Sequence, residues 1–271
     1  MALTEFQRSL CRLIAENRIS SGESYVAGGV ALNELTAGTR ISRDVDLFHD
    51  TEQALDATWA ADRVLLEQSG YEVRVLLERR GLVEAQVTRE NDGVLLQWVR
   101  DSAFRFFPLV RHEDLGLTLH AFDLATNKVL ALVGRLEPRD WVDVIHCHDR
   151  VQPLGYLVWA ACGKDPGFSP ASILEHAARA NRHSADEIRA LSFDGDTPDP
   201  ARLSRSWHAM LAQAADLVAK LPAEQAGKCV LNAAGNLYIS GVAELTEDLR
   251  RTGAVRFHPG RICGALPELL G

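Results

Sequence analysis

Apolar positions along the first half of the chain switch between a helical period and an alternating one, and the switches mark its elements. Phe6, Leu10, Leu13 and Ile14 fall on one helical stripe, and Thr4 stands three residues before Gln7 as in a capping box, which predicts a helix over 5–17. A short strand over 24–27 then runs into Gly28 and Gly29, a helix begins between Val30 and Leu35, and a second strand covers 45–48. Asp50 or Thr51 caps a helix predicted to end near Ser69, with Gly70 as its left-handed stop. Three alternating runs follow, 71–78, 82–89 and 94–100. Their connections, Arg79-Arg80-Gly81 and Asn91-Asp92-Gly93, are hairpin turns, so an antiparallel meander is predicted.

Beyond residue 120 the period is mainly helical. Asp123 is predicted to cap a helix over 124–135, and Glu137-Pro138 opens another that carries Arg139, Asp140 and Asp143. Ser169-Pro170 starts a helix over 170–181, Ser184 with Glu187 caps the next, and a long helix over 201–220 follows a polar linker at 194–200. The tail is expected to form a small hairpin, 229–232 against 237–240, and then an irregular stretch around His258-Pro259-Gly260. The fold class expected is mixed α/β: a sheet flanked by helices over 1–150, followed by a mainly helical domain over 151–271.

Within this pattern one segment states a chemistry. Asp44 and Asp46 sit at i and i+2 of a predicted strand, so their side chains share a face with Cα atoms roughly 6.7 Å apart. Such a pair can bridge divalent cations held about 3.5–4 Å apart, the spacing that clamps attacking and leaving oxygens in phosphoryl displacement. Upstream, Gly28-Gly29 ends a strand and opens a helix, where exposed amides favour anionic oxygens and glycine admits phosphate close to the backbone. A D-x-D alone is common on surface strands; with the diglycine it fits a metal-bound triphosphate.

Composition changes this picture in two ways. The net charge of −8 argues against a general nucleic-acid binder, which needs clustered Lys and Arg to neutralise phosphates. Five scattered cysteines without a C-x-x-C pair, no apolar leader and no run of about 20 apolar residues point to a reduced cytoplasmic protein with no membrane partner.

The segment resembles the DNA polymerase β-like nucleotidyltransferase superfamily, whose G-G turn is followed by h-D-h-D-h. It is most similar there to the AbiEii type, with Arg40-Ile-Ser42-Arg43-Asp44-Val-Asp46 and later Asn127-Lys128 and Pro138-Arg139-Asp140-Trp-Val-Asp143. Over roughly residues 20–150 the resemblance implies a nucleotidyltransferase core that moves a nucleoside monophosphate from an NTP to an acceptor with Mg²⁺ or Mn²⁺. Asp44 and Asp46 would bind the metal, Gly28, Gly29, Arg40 and Ser42 the phosphates, and Lys128 the leaving pyrophosphate, with Arg139 and Asp143 assisting. The implied third carboxylate falls on Gln97, which cannot accept a proton at neutral pH, so Asp101 or Asp140 is expected to serve instead. Some relatives are toxins of toxin–antitoxin pairs that act on tRNA, which makes an antitoxin an expected partner. Two other readings stand beside this one: transfer to a cationic small molecule of the aminoglycoside kind, which suits the acidity, and nucleotide binding without transfer, which suits Gln97.

Overall fold

The structure is a computed structural model that describes residues 3–179 and 183–262. These divide into two compact units, one formed by 3–120 with 261–262 and the other by the described part of 121–260. The sequence reading divides the chain at 150/151.

The first unit is built on a seven-stranded mixed sheet in the order β3-β4-β5-β2-β1-β8-β7. Its elements are α1 (Glu5–Ser21), β1 (Ser24–Ala27), α2 (Gly28–Thr36), β2 (Asp44–His49), α3 (Glu52–Gln68), β3 (Glu72–Arg79), β4 (Leu82–Arg89), β5 (Asp92–Arg100), β6 (Phe104–Arg105), β7 (Val110–His112) and β8 (Gly116–Thr118). The meander of β3, β4 and β5 is antiparallel, as the turns predict, while β2 joins β5 in parallel and β1 in antiparallel register. That mixture follows from α3, which carries the chain back along the sheet between β2 and the meander.

Alternation divides the sheet into two faces. Val45, Leu47 and His49 of β2, Leu96 and Trp98 of β5, and Val83, Ala85 and Val87 of β4 are buried. Against this face lie α1 and α3, which bury Leu10, Ile14, Leu55 and Leu66. Here Trp98 meets Trp59 edge-on at 4.6 Å and donates its indole N–H to Asp62 at 3.0 Å. The opposite face carries Asp44, Asp46, Gln97 and Glu84, all half-buried.

One reading of the N-terminal half needs adjustment, and three short strands are added to it. Helix α1 runs four residues past the predicted end and stops at Gly22, whose φ of +67° admits glycine cheaply. The aromatic stretch at 104–107 opens with β6, which pairs with β11 (Arg261–Ile262). Strands β7 and β8, three residues each, are too short to show a period.

The second unit is mainly helical, with α4 (Ala121–Arg135), α5 (Pro138–Arg150), α6 (Leu154–Ala161), α7 (Pro170–Ala177), α8 (Ala185–Arg189), α9 (Pro200–Lys220) and α10 (Val242–Asp248). Asp123 is not the cap of α4 but lies inside its first turn, buried, with Lys164 Nζ 2.9 Å away. Capping boxes at Ser169 and Ser184 do form, while residues 180–181 of the helix predicted over 170–181 lie outside the described residues. The expected tail hairpin is reduced to a single bridge, Leu231 to Leu237. Strand β9 (Lys228–Asn232) takes as its full partner β10 (Val255–Pro259), and Tyr156, Leu217, Val230 and Leu245 form the core beside them.

Candidate functional site

The diglycine turn and the two aspartates meet in one place. Register sets Ala27 of β1 directly opposite Asp46 of β2, so the turn that leaves β1 passes over the Asp46 carboxylate. Gly28 has φ +66°, and a Cβ built on it would overlap Asp46 Oδ2. A Cβ on Gly29 would collide with the Arg40 guanidinium and stand 2.8 Å from Ser42 Oγ. A side chain at either position would displace these groups, and at Gly28 the backbone conformation favours glycine as well. Behind them begins α2, whose first turn carries no side-chain cap, so its leading amides are left for another acceptor.

The loop between α2 and β2 is held at Ser42 by two hydrogen bonds, and α2 is braced at its first turn by a third. Ser42 Oγ donates to Asp44 Oδ1 at 2.8 Å, which orients one of the two carboxylates. Gln7, whose amide oxygen accepts from Thr4 N in the α1 capping box, donates its amide N–H to the Ser42 carbonyl, 2.8 Å away in a buried position. Asn33 of α2 donates to the Gly29 carbonyl at 2.8 Å. Arg40 and Ser42 are nearly inaccessible, at 5% and 3% exposure, so this is a built wall and not a surface loop. The sequence marks Gln7 only as part of a cap and does not mark Asn33; the Gln7 bond to Ser42 spans 35 residues.

Asp44 and Asp46 lie on the open face as the i, i+2 spacing requires. Among the described residues no three His, Cys, Asp or Glu converge as a ready-made metal cage. Two carboxylates fit Mg²⁺ nonetheless, because that ion is usually bound by one or two carboxylates and takes its other ligands from phosphate and water.

The three candidates for a third acid are distributed differently. Gln97 stands next to Asp46, paired with it in the parallel β2–β5 register. Asp101 does not: it lies beyond His49–Arg100 at the far end of β5, four residues and roughly 13 Å along the strand from Gln97. There it lines a cavity of about 880 Å³ together with Asp50, Thr51, Arg80 and Arg100. Asp140 belongs to the second unit, where it is fully buried. Lys128 Nζ is 3.1 Å from Asp140 and 2.9 Å from Asp143, and Arg135 grips Asp140 with two bonds of 2.6 and 2.9 Å. Burial alone would raise the Asp140 pKa, but the Arg135 bonds and the Lys128 charge outweigh it and hold it below the ordinary carboxylate value. A carboxylate held low by two cations is a poor proton acceptor at neutral pH. Its evident work is to fix Lys128. Arg139 is half-buried on the first turn of α5, one residue before Asp140.

An acid that the sequence reading passed over lies next to Gln97. Glu84 of β4 is its register partner, and Gln97 Nε2 donates to Glu84 Oε1 at 2.6 Å. Asp46, Gln97 and Glu84 thus form a row across three adjacent strands of the open face. A strand-pairing argument would have found it, since both residues are polar positions of the predicted meander.

No family model matches the chain, and no curated protein matches its sequence. Solved structures do match its fold. "Crystal structure of JHP933 from Helicobacter pylori" superposes with a TM-score of 0.53 at 12% identity, over 80% of this chain and 95% of that one. MenT4, the nucleotidyltransferase toxin Rv2826c from Mycobacterium tuberculosis H37Rv, gives 0.50 at 16% identity, over 80% and 83%. The mixed α/β architecture is therefore similar to that of a nucleotidyltransferase, as a likeness of fold.

Proposed function

We propose that the chain is a metal-dependent nucleotidyltransferase that moves a nucleoside monophosphate from an NTP to an acceptor. The observation that carries the reading is the contact of Gly28 with the Asp46 carboxylate, beside Gly29 against Arg40 and Ser42: a turn suited to phosphates and a carboxylate pair suited to Mg²⁺ share one site. Asp44 and Asp46 would hold the ion, with Asp44 kept in place by Ser42. The amides of the Gly28-Gly29 turn and the positive charge of Arg40 would receive the triphosphate. Bound Mg²⁺ supplies neutralisation of the phosphate charge that grows as pyrophosphate leaves. In the step, the acceptor oxygen bonds to the α-phosphorus and the bond from that phosphorus to the bridging oxygen breaks. Its electron pair leaves with pyrophosphate, and the acceptor proton passes to water. A part for Lys128 in turnover rests on the sequence resemblance.

The fold likeness to MenT4 and the AbiEii-like motifs favour a toxin restrained by an antitoxin, with tRNA as acceptor. The net charge of −8 favours a cationic small molecule of the aminoglycoside kind. Gln97 in the place of an acid favours nucleotide binding without transfer. One experiment separates these: each α-³²P-labelled NTP is incubated with Mg²⁺ and the protein, against total tRNA, aminoglycosides and the protein alone. The proposal expects EDTA-sensitive label on one acceptor. Label on none of them, with nucleotide still bound, would sink the enzyme reading and leave the binding module.

A further inference from the structure

We infer that Gln97, locked by Glu84, seats the acceptor group beside the Asp44/Asp46 site; this rests on the transfer reading above. A carboxylate oxygen only accepts hydrogen bonds, so the Gln97 atom 2.6 Å from Glu84 Oε1 must be the amide nitrogen, and the flip of the amide is settled without choice. The Gln97 carbonyl oxygen, Oε1, is then the atom turned away from Glu84, and it accepts no hydrogen bond among the described residues. On its other flank, by register, stands Asp46. The Asp46 carboxylate itself leans the opposite way, against Gly28 of the β1–α2 turn. The open face between the metal-binding pair and the Glu84–Gln97 pair is thus floored by an oriented acceptor oxygen.

Neighbouring strands are about 4.8 Å apart, so Glu84 lies two strand spacings from Asp46, and no described trio of acids converges there. Glu84 is therefore too distant to complete the metal site and acts through Gln97: it is a positioning residue. A fixed amide oxygen cannot take a proton, but it can hold the O–H or N–H of an acceptor in line with the α-phosphorus of a triphosphate at the neighbouring Asp44/Asp46 site. The chemical class selected is an acceptor with a hydrogen-bond donor, a hydroxyl or amine, at the attacking position. The proton itself goes to water as described above.

The test uses label transfer from α-³²P-NTP with Mg²⁺ to whichever acceptor the wild type labels, in the full chain. Glu84→Ala frees the amide to rotate, and transfer is expected to fall about tenfold, the scale of one well-placed hydrogen bond. Glu84→Gln keeps an oxygen that accepts from Gln97 Nε2, so it should recover most of that loss. Gln97→Ala should lose at least as much as Glu84→Ala, and the double variant no more than Gln97→Ala, because the two residues act as one unit. Calorimetric binding of a non-hydrolysable NTP with Mg²⁺ should hold in all four, which a general collapse of the sheet would not allow. Full activity in Glu84→Ala, additive losses in the double variant, or Glu84→Gln as weak as Glu84→Ala would each overturn the inference while the wild type still transfers. A wild type that labels nothing overturns the transfer reading and this inference with it.

Discussion

The smallest decisive feature is the missing side chain of Gly28. Two costs meet in Gly28→Ala: a φ of +66°, worth about 1 kcal/mol against an L residue, and overlap of the new methyl with the Asp46 carboxylate. Gly70→Ala isolates the first cost, since its φ is +81° and nothing lies within 4 Å of the position a Cβ would take. Gly28→Ala should lose at least as much stability as Gly70→Ala in urea melts, and only Gly28→Ala should lose Mg²⁺-dependent nucleotide binding, by at least tenfold. Equal binding by the two would separate the turn from the site. Lys128 makes a second residue-scale case. Lys128→Met leaves Asp140 and Asp143 buried with one cation fewer, and removing one member of a buried ion-pair set costs about 3 kcal/mol. Urea melts at pH 7 should show that loss. At this scale the sequence was legible for Asp44, Asp46, Gly28 and Gly29, because alternation and turn chemistry are local. It was silent on Gln7 and Glu84, whose partners Ser42 and Gln97 come from other elements.

Strand β2 gathers both characters of the sheet, since its residues alternate between the aspartate face and the apolar one. His49 ends it on the apolar side, fully buried, donating Nδ1–H to the Val99 carbonyl at 3.3 Å. Burial, with Arg18 nearby, depresses its pKa from 6.5 to about 4. The unfolded chain therefore binds this proton near pH 6.5 and the folded chain only near 4, so His49 removes stability as pH falls through that window. The total loss is about 3 kcal/mol, complete below pH 4. Unfolding free energies measured from pH 7 to 4 should fall accordingly, and His49→Leu should lack that component; an identical slope in the variant would contradict the assignment. The meander and the long helices were readable from period alone. Strands β7 and β8 and the β9–β10 pair were not: the first two are three residues long, and the third joins segments on either side of α10. The supposed cap Asp123 misled because an acid at the start of an apolar helix has the same appearance whether it caps or pairs with a distant lysine.

On the scale of the chain, the sequence conveys a mixed α/β sheet and a helical remainder, but not how the tail is used. Residues 261–262 return to the first unit as a strand beside β6, and no local pattern announces a pairing across more than 150 positions. No described helix is long and apolar enough to cross a membrane. The fold is similar to those of JHP933 and MenT4. The proposed function rests on the diglycine–aspartate site. The most direct measurement is a calorimetric titration of the wild type and of the double variant Asp44→Asn, Asp46→Asn with a non-hydrolysable NTP, in Mg²⁺ and in EDTA. The account predicts saturable binding by the wild type only in Mg²⁺, and its loss in the variant with the thermal melt preserved. Equal binding by both proteins, or wild-type binding indifferent to Mg²⁺, would contradict it.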